Sequence, residues 1–186
     1  MTRDNRVVWV LDASSGELLV RTGVAGRAAK MGHRLTLAMR DWQATVQWDG
    51  DDPVKADLTV DVGSLDVVRG DGGLTPLSGP EKILVRTNAL RSLDAQRFPR
   101  IDFAAETIEP IDDGYRLTGE LTIHGKTRPL TVEVCTDDLG DSWSLSSETV
   151  VRQSDFGIKP YSQLLGSLKV ADDVTVSFRA RRAKDS

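Results

Sequence analysis

The sequence predicts a mainly β domain of antiparallel strands carrying one α-helix. Three observations predict it. Apolar and polar residues alternate with period two in six segments, the signature of strands with one dry and one wet face. Short turn-rich connections separate these segments, which implies antiparallel pairing. A single stretch replaces period two with helical spacing.

In chain order, weaker strands are expected at 7–12 and 17–23, joined by the turn Ser14-Ser15-Gly16. A short helix is expected around Val24–Met31, with Gly32 as its stop. Leu35, Leu37 and Met39 then alternate with Arg34, Thr36 and Arg40. Every second residue of Trp42–Trp48 is apolar, and the turn Asp49-Gly50-Asp51-Asp52-Pro53 follows. Ala56, Leu58, Val60 and Val62 form the next dry face. Gly70–Gly79 reads as a flexible connection to the helix from Gly79-Pro80 to Leu93, where Ile83, Leu84, Leu90 and Leu93 fall at helical spacing. Pro80 suits the first helical turn and Glu81 the positive end of the helix dipole. A further strand at 101–109 leads through Asp112-Asp113-Gly114 to Tyr115, Leu117, Leu121 and Ile123. Gly125-Lys126 turns the chain into Leu130, Val132 and Val134. Strands at 143–152 and at Val174, Val176 and Phe178 complete the series.

About ten such strands form either a closed barrel or a two-layer sandwich. In a wide barrel the dry faces surround an interior larger than side chains fill. A filled core fits the alternation equally well. Strands continue on both sides of the helix, so residues 1–186 read as one domain.

Apolar residues make up 39% and charged residues 28%, a globular rather than disordered balance. Aromatics are 5%, so the interior is built mainly from Val, Leu, Ile and Ala. A net charge of −4 and a pI of about 5.2 argue against a nucleic-acid partner. The apolar run Val7–Leu11 ends at Asp12, short of a signal-peptide core. No stretch reaches the roughly 18 apolar residues of a membrane span. The expectation is a soluble, cytoplasmic protein; pairing of two chains as a homodimer stays open.

Motifs for chemistry are sparse. Gly70–Gly79 lacks the Gly-Lys-Ser/Thr ending of a phosphate loop, and His124-Gly125-Lys126-Thr127 has Glu120 where that motif needs Gly. No Gly-x-Ser-x-Gly elbow occurs. Cys135, the one cysteine, excludes an internal disulfide and has no cationic neighbour in sequence to activate it. Two histidines give little for a metal centre, so no cofactor is expected. His33 opens the strand of Leu35, Leu37 and Met39. Its ring either satisfies a structural contact or hydrogen-bonds a ligand head group in a cavity.

Gly119-Glu120-Leu121-Thr122-Ile123-His124-Gly125-Lys126-Thr127-Arg128-Pro129-Leu130-Thr131-Val132 resembles the signature hairpin of the YceI-like family. Val60–Val67, Phe98-Pro99-Arg100-Ile101-Asp102-Phe103 and Ser154-Asp155-Phe156-Gly157-Ile158 resemble three further family stretches, in order. The Gly32-His33 pair matches a subset of members. The family often carries Asn-Arg-Ser-Asp-Phe-Gly, where this chain has Gln153 in place of the Arg. The resemblance spans about residues 7 to 180. It implies a single lipocalin-like antiparallel barrel with a helix outside. It implies binding of an isoprenoid, isoprenoid quinone or other lipid in the interior, without catalysis.

On that reading the candidate lining is Leu35, Leu37 and Met39; Trp42, Val46 and Trp48; Leu58 and Val60; Phe103; Leu117 and Leu121; Phe156 and Phe178. His33 is the candidate polar anchor. Lys159–Ser167 reads as a loop with exposed apolar residues that covers the barrel mouth or packs on its rim. Two rivals stand beside it. One is an interaction or stress-response module with a filled barrel. The other is an enzyme using His33 and an Asp as acid and base.

Overall fold

A computed structural model describes residues 6–184. The strands are β1 (Arg6–Asp12), β2 (Gly16–Ala25), β3 (His33–Met39), β4 (Trp42–Asp49), β5 (Asp52–Asp61) and β6 (Leu65–Gly72). The helix α1 (Gly79–Ser92) follows. Then come β7 (Arg100–Ile111), β8 (Gly114–Ile123), β9 (Lys126–Asp138), β10 (Ser142–Arg152), β11 (Ser162–Gln163) and β12 (Leu168–Ala183). All twelve strands belong to one antiparallel sheet, in the order β1-β4-β5-β7-β8-β9-β10-β12-β2-β3-β6, with β11 paired to β12.

The sheet curls into a lipocalin-like barrel. Strands far apart along that order meet across it. Arg182 of β12 lies over the Trp9 ring of β1 at 5.1 Å, and Phe178 of β12 packs edge-on against Trp42 of β4 at 5.3 Å. Two clusters fill part of the inside. One gathers Leu11, Leu18, Leu37, Met39, Trp42 and Leu65. The other gathers Phe103, Leu121, Val151, Phe156 and Ile158.

The helix is better capped than the Pro80 signal alone indicates. Ser78 and Glu81 form a reciprocal capping box: Ser78 N–H donates to Glu81 at 2.7 Å and Glu81 N–H to Ser78 Oγ at 3.4 Å. α1 lies along β6, the last strand of the path. Lys82 Nζ donates to the Val68 carbonyl at 2.9 Å, and Arg86 to those of Leu65 and Gly63 at 2.8 and 2.6 Å. These bonds occupy acceptors that an edge strand otherwise offers to another chain.

The expected helix at Val24–Met31 is corrected. Strand β2 continues through Ala25, because Val24 pairs with Val170 across the sheet. Only Ala29–Met31 form a single 3₁₀ turn. Gly32 ends that turn in an extended conformation, φ −94° and ψ 160°, not a left-handed one.

Candidate functional site: the barrel interior

Inward faces of nearly every strand leave an open cavity of about 1000 Å³. The register sets its depth. Its lining on β12 runs from Leu168 to Phe178. That is about 33 Å of extended chain, or about 25 Å of axial depth at a typical barrel tilt. Apolar side chains dominate the walls. Trp9, Trp48 and Tyr115 pack together at one reach, Trp9 tilted on Trp48 at 4.6 Å and Tyr115 edge-on to Trp48 at 6.3 Å between centroids. His33, Thr75, Tyr161 and Gln163 lie at the other. Exposed Met31, Leu74, Leu84 and Tyr161 also line the cavity, so they form the rim of a mouth there.

The structure places thirteen of the fourteen candidate residues on this wall: His33, Leu35, Leu37, Met39, Val46, Trp48, Leu58, Val60, Phe103, Leu117, Leu121, Phe156 and Phe178. Trp42 is the exception. It is 3% exposed and sits in the filled part of the barrel behind Phe178, outside the lining. Alternation gives the face a residue points to, not whether space remains in front of it.

His33 is already hydrogen-bonded. Its Nε2 lies 2.7 Å from the Thr75 carbonyl, which can only accept. Nε2 therefore carries a proton and donates it to this carbonyl. The ring also packs under the connection to α1, where a Cβ on Gly73 would lie 2.6 Å from Nε2. Hydrogen bonds from Ser78 hold the Glu81 carboxyl below its ordinary value, so this lining residue is ionised at neutral pH. Gln153, in the position where the family often has Arg, lines the wall and donates to the Ala171 carbonyl at 2.9 Å.

Several lining residues escaped the sequence reading. Tyr115 shares the period-two phase of Leu117, and Val174 and Val176 that of Phe178, so that signal finds them, whereas Trp9, in the unbroken apolar run Val7–Leu11, has no alternation to show its face. The face of α1 carrying Glu81, Val85, Asn88 and Ser92 also lines the cavity. The helix thus helps wall the interior, and helical spacing alone does not show which side meets the sheet.

Cys135 is not a nucleophile poised for chemistry. Its Sγ lies 3.4 Å from Asp113 Oδ2, and this hydrogen bond, with desolvation and nearby carboxylates, pushes the thiol above its usual range.

The quoted family stretches meet at one corner. His124 and Gly125 both have positive φ, 52° and 72°, and make the two-residue turn between Ile123 and Lys126. His124 Nδ1 donates to the Phe156 carbonyl at 3.2 Å, and its ring meets Phe98 edge-on at 5.1 Å. Val62 N–H donates to the Pro99 carbonyl at 2.9 Å. These contacts tie the hairpin, the Phe98-Pro99 segment, the Ser154–Gly157 loop and the Val60–Val67 stretch into a clasp.

Comparison with known proteins agrees with this arrangement. The family model for the YceI-like domain matches residues 9–181. A UPF0312 protein of Pseudomonas fluorescens is 26% identical over 127 residues, covering 64% of this chain and 62% of that protein. The chain thus spans about 62% of the length of that curated relative. Burkholderia cenocepacia BcnA shares the fold with a TM-score of 0.71 at 21% identity, over 93% of this chain and 99% of that one. The Campylobacter jejuni YCEI protein does so with a TM-score of 0.60 at 17% identity, over 81% and 85%. Matched along almost its whole length by the family model, the chain belongs to the YceI-like family.

Proposed function

We propose that the barrel binds one long apolar ligand of the isoprenoid class along its axis and serves as a non-catalytic carrier, store or sensor. The observation that carries this reading is the open, apolar-walled interior of about 1000 Å³ where a filled barrel would have a core. Hydrocarbon burial is worth about 0.8 kcal/mol per methylene, so a chain of some twenty carbons gains roughly 16 kcal/mol gross. Ordering the chain and losing its translational freedom take back a large share. No reacting group is needed for useful affinity.

The head group is read from His33. With Nε2–H given to Thr75, Nδ1 is the ring nitrogen left for a ligand. A prenyl alcohol, whose hydroxyl can donate or accept, fits that nitrogen in either role, whereas a quinone carbonyl can only accept. Met31 and Tyr161 are exposed and line the same cavity.

Solvent extraction of the purified protein, with mass spectrometry of the extract, tests the reading. A co-purifying isoprenoid is the expected result. The stripped protein should then retain geranylgeraniol more tightly than an isoprenoid quinone of similar length. A chain that emerges lipid-free and takes up neither probe refutes the proposal.

A further inference from the structure

The mouth is surrounded by a surface that the cavity does not require. Strand β11 and the start of β12 make a short hairpin whose tip is Leu164–Ser167. Leu164 and Leu165 have φ of 51° and 54°, left-handed values that bulky residues seldom adopt. Their side chains face solvent, and Leu165 is fully exposed. The 3₁₀ turn before β3 is fastened beside this tip: Ala28 N–H donates to the Ser167 carbonyl at 2.8 Å. That turn contributes Met31, which is exposed and lines the cavity. Tyr161 does the same from the hairpin.

The charge of these two segments departs from that of the whole chain, which is −4. Residues 26–34 and 157–170 contain Arg27, Lys30, Arg34, Lys159 and Lys169, and no Asp or Glu. None of the five forms an ion pair among the described residues. The neighbouring carboxylates are engaged elsewhere: Asp71 pairs with Arg69, and Asp172 accepts from Ser154. An apolar tip set among unpaired cations, in an otherwise acidic protein, matches an anionic lipid surface.

We propose that the mouth end docks on an anionic bilayer, with Leu164 and Leu165 entering the headgroup layer. Arg27, Lys30, Arg34, Lys159 and Lys169 face the lipid phosphates. Docking in this orientation points the cavity mouth at the membrane. The inference rests on the surface, independently of what fills the barrel.

Sedimentation of the full chain with phosphatidylglycerol–phosphatidylcholine vesicles, against pure phosphatidylcholine vesicles, tests it. Binding is expected to the first and to weaken with salt. Lys30→Gln should lower partitioning by about fivefold, as a single basic residue near an anionic surface does. Leu164→Ser with Leu165→Ser should abolish most of it at unchanged melting temperature. Absence of binding to the anionic vesicles overturns the proposal. So does a double-serine variant that binds like the parent. So does a lipid-free dimer that Leu165→Ser converts to monomer, since a second copy then covers the tip. A chain that binds vesicles but takes up no isoprenoid keeps this inference and refutes the ligand reading alone.

Discussion

Replacing Val176 with Phe separates an open interior from a filled one by the sign of its effect. Val176 lies in β12 between Val20 and Thr149, faces the cavity and packs against both core clusters. Phe is at home in a strand, so the backbone gives little bias. In open space the ring covers about 50 Å² more apolar surface than valine, a gain of about 1 kcal/mol at ~25 cal/mol per Å². In a close-packed interior the same substitution costs about 1–3 kcal/mol in overpacking. For a chain of this size these are a rise of about 2–4 °C in melting temperature against a fall of about 2–12 °C. Urea unfolding of the lipid-stripped protein measures the sign, and retention of geranylgeraniol measures the lost space. Greater stability with weaker retention is expected. Destabilisation of the stripped protein by 1–3 kcal/mol would falsify the open interior, and the ligand proposal with it.

Gly125→Ala should cost about 2 kcal/mol or more in urea unfolding, because the position has φ +72° and a Cβ there lies 2.5 Å from the Phe98 ring; an unchanged midpoint would remove the clasp from the account of stability. Hydrogen bonds lower the carboxyls of Asp12, Glu81 and Asp138 in the folded state, from Ser14, from Ser78, and from Lys184 with Gly140 respectively. Their contribution is therefore present above the unfolded values near 4 and is lost as pH falls through the lowered folded ones. Amide exchange in the first turn of α1 should accelerate in that acid range, and Glu81→Gln should flatten the response.

The strands of the barrel wall were legible where alternation is clean, as in Trp42–Trp48, which forms β4 with one added residue. Legibility failed where a turn-like composition continues a strand. Asp52-Pro53 reads as part of a turn, yet it opens β5, and the β4–β5 register shifts there to admit the proline. The last strand is expected at Val174, Val176 and Phe178, yet β12 begins at Leu168 and carries Ala171-Asp172-Asp173 as an irregularity between Val170 and Val174. In α1, Leu90 packs on the core, as does Leu93 just beyond its end, while Ile83 is 71% exposed. Spacing identifies the helix but not its orientation, which the bonds from Lys82 and Arg86 to the β6 region set. At the site, the inward face was readable from period two. The depth of filling was not, and Trp42 shows the difference.

The residues that make the clasp and the residues that wall the cavity answer to different physical demands, although Val60, Phe103, Leu121 and Phe156 of the family stretches also line the wall. The clasp needs particular chemistry at particular atoms. His124 supplies a ring nitrogen to the Phe156 carbonyl while its own backbone is left-handed, and Gly125 lies where any side chain would strike Phe98. Few substitutions meet such demands, so the stretch is recognisable in sequence. The wall needs only apolar bulk at inward positions, and Leu, Val, Ile and Met exchange there at modest cost. A match on the clasp therefore carries the fold securely and says little about the ligand. Ligand choice rests on the few polar groups that interrupt the wall. In this chain those include His33, whose Nε2–H is given to Thr75, and Gln153, whose amide is turned to Ala171 where the family often has an Arg. Each has one polar group committed to a backbone carbonyl, and the lysine of the lining, Lys169, stands at the mouth, so a comparison of geranylgeraniol with an isoprenoid quinone is what reads the head-group preference.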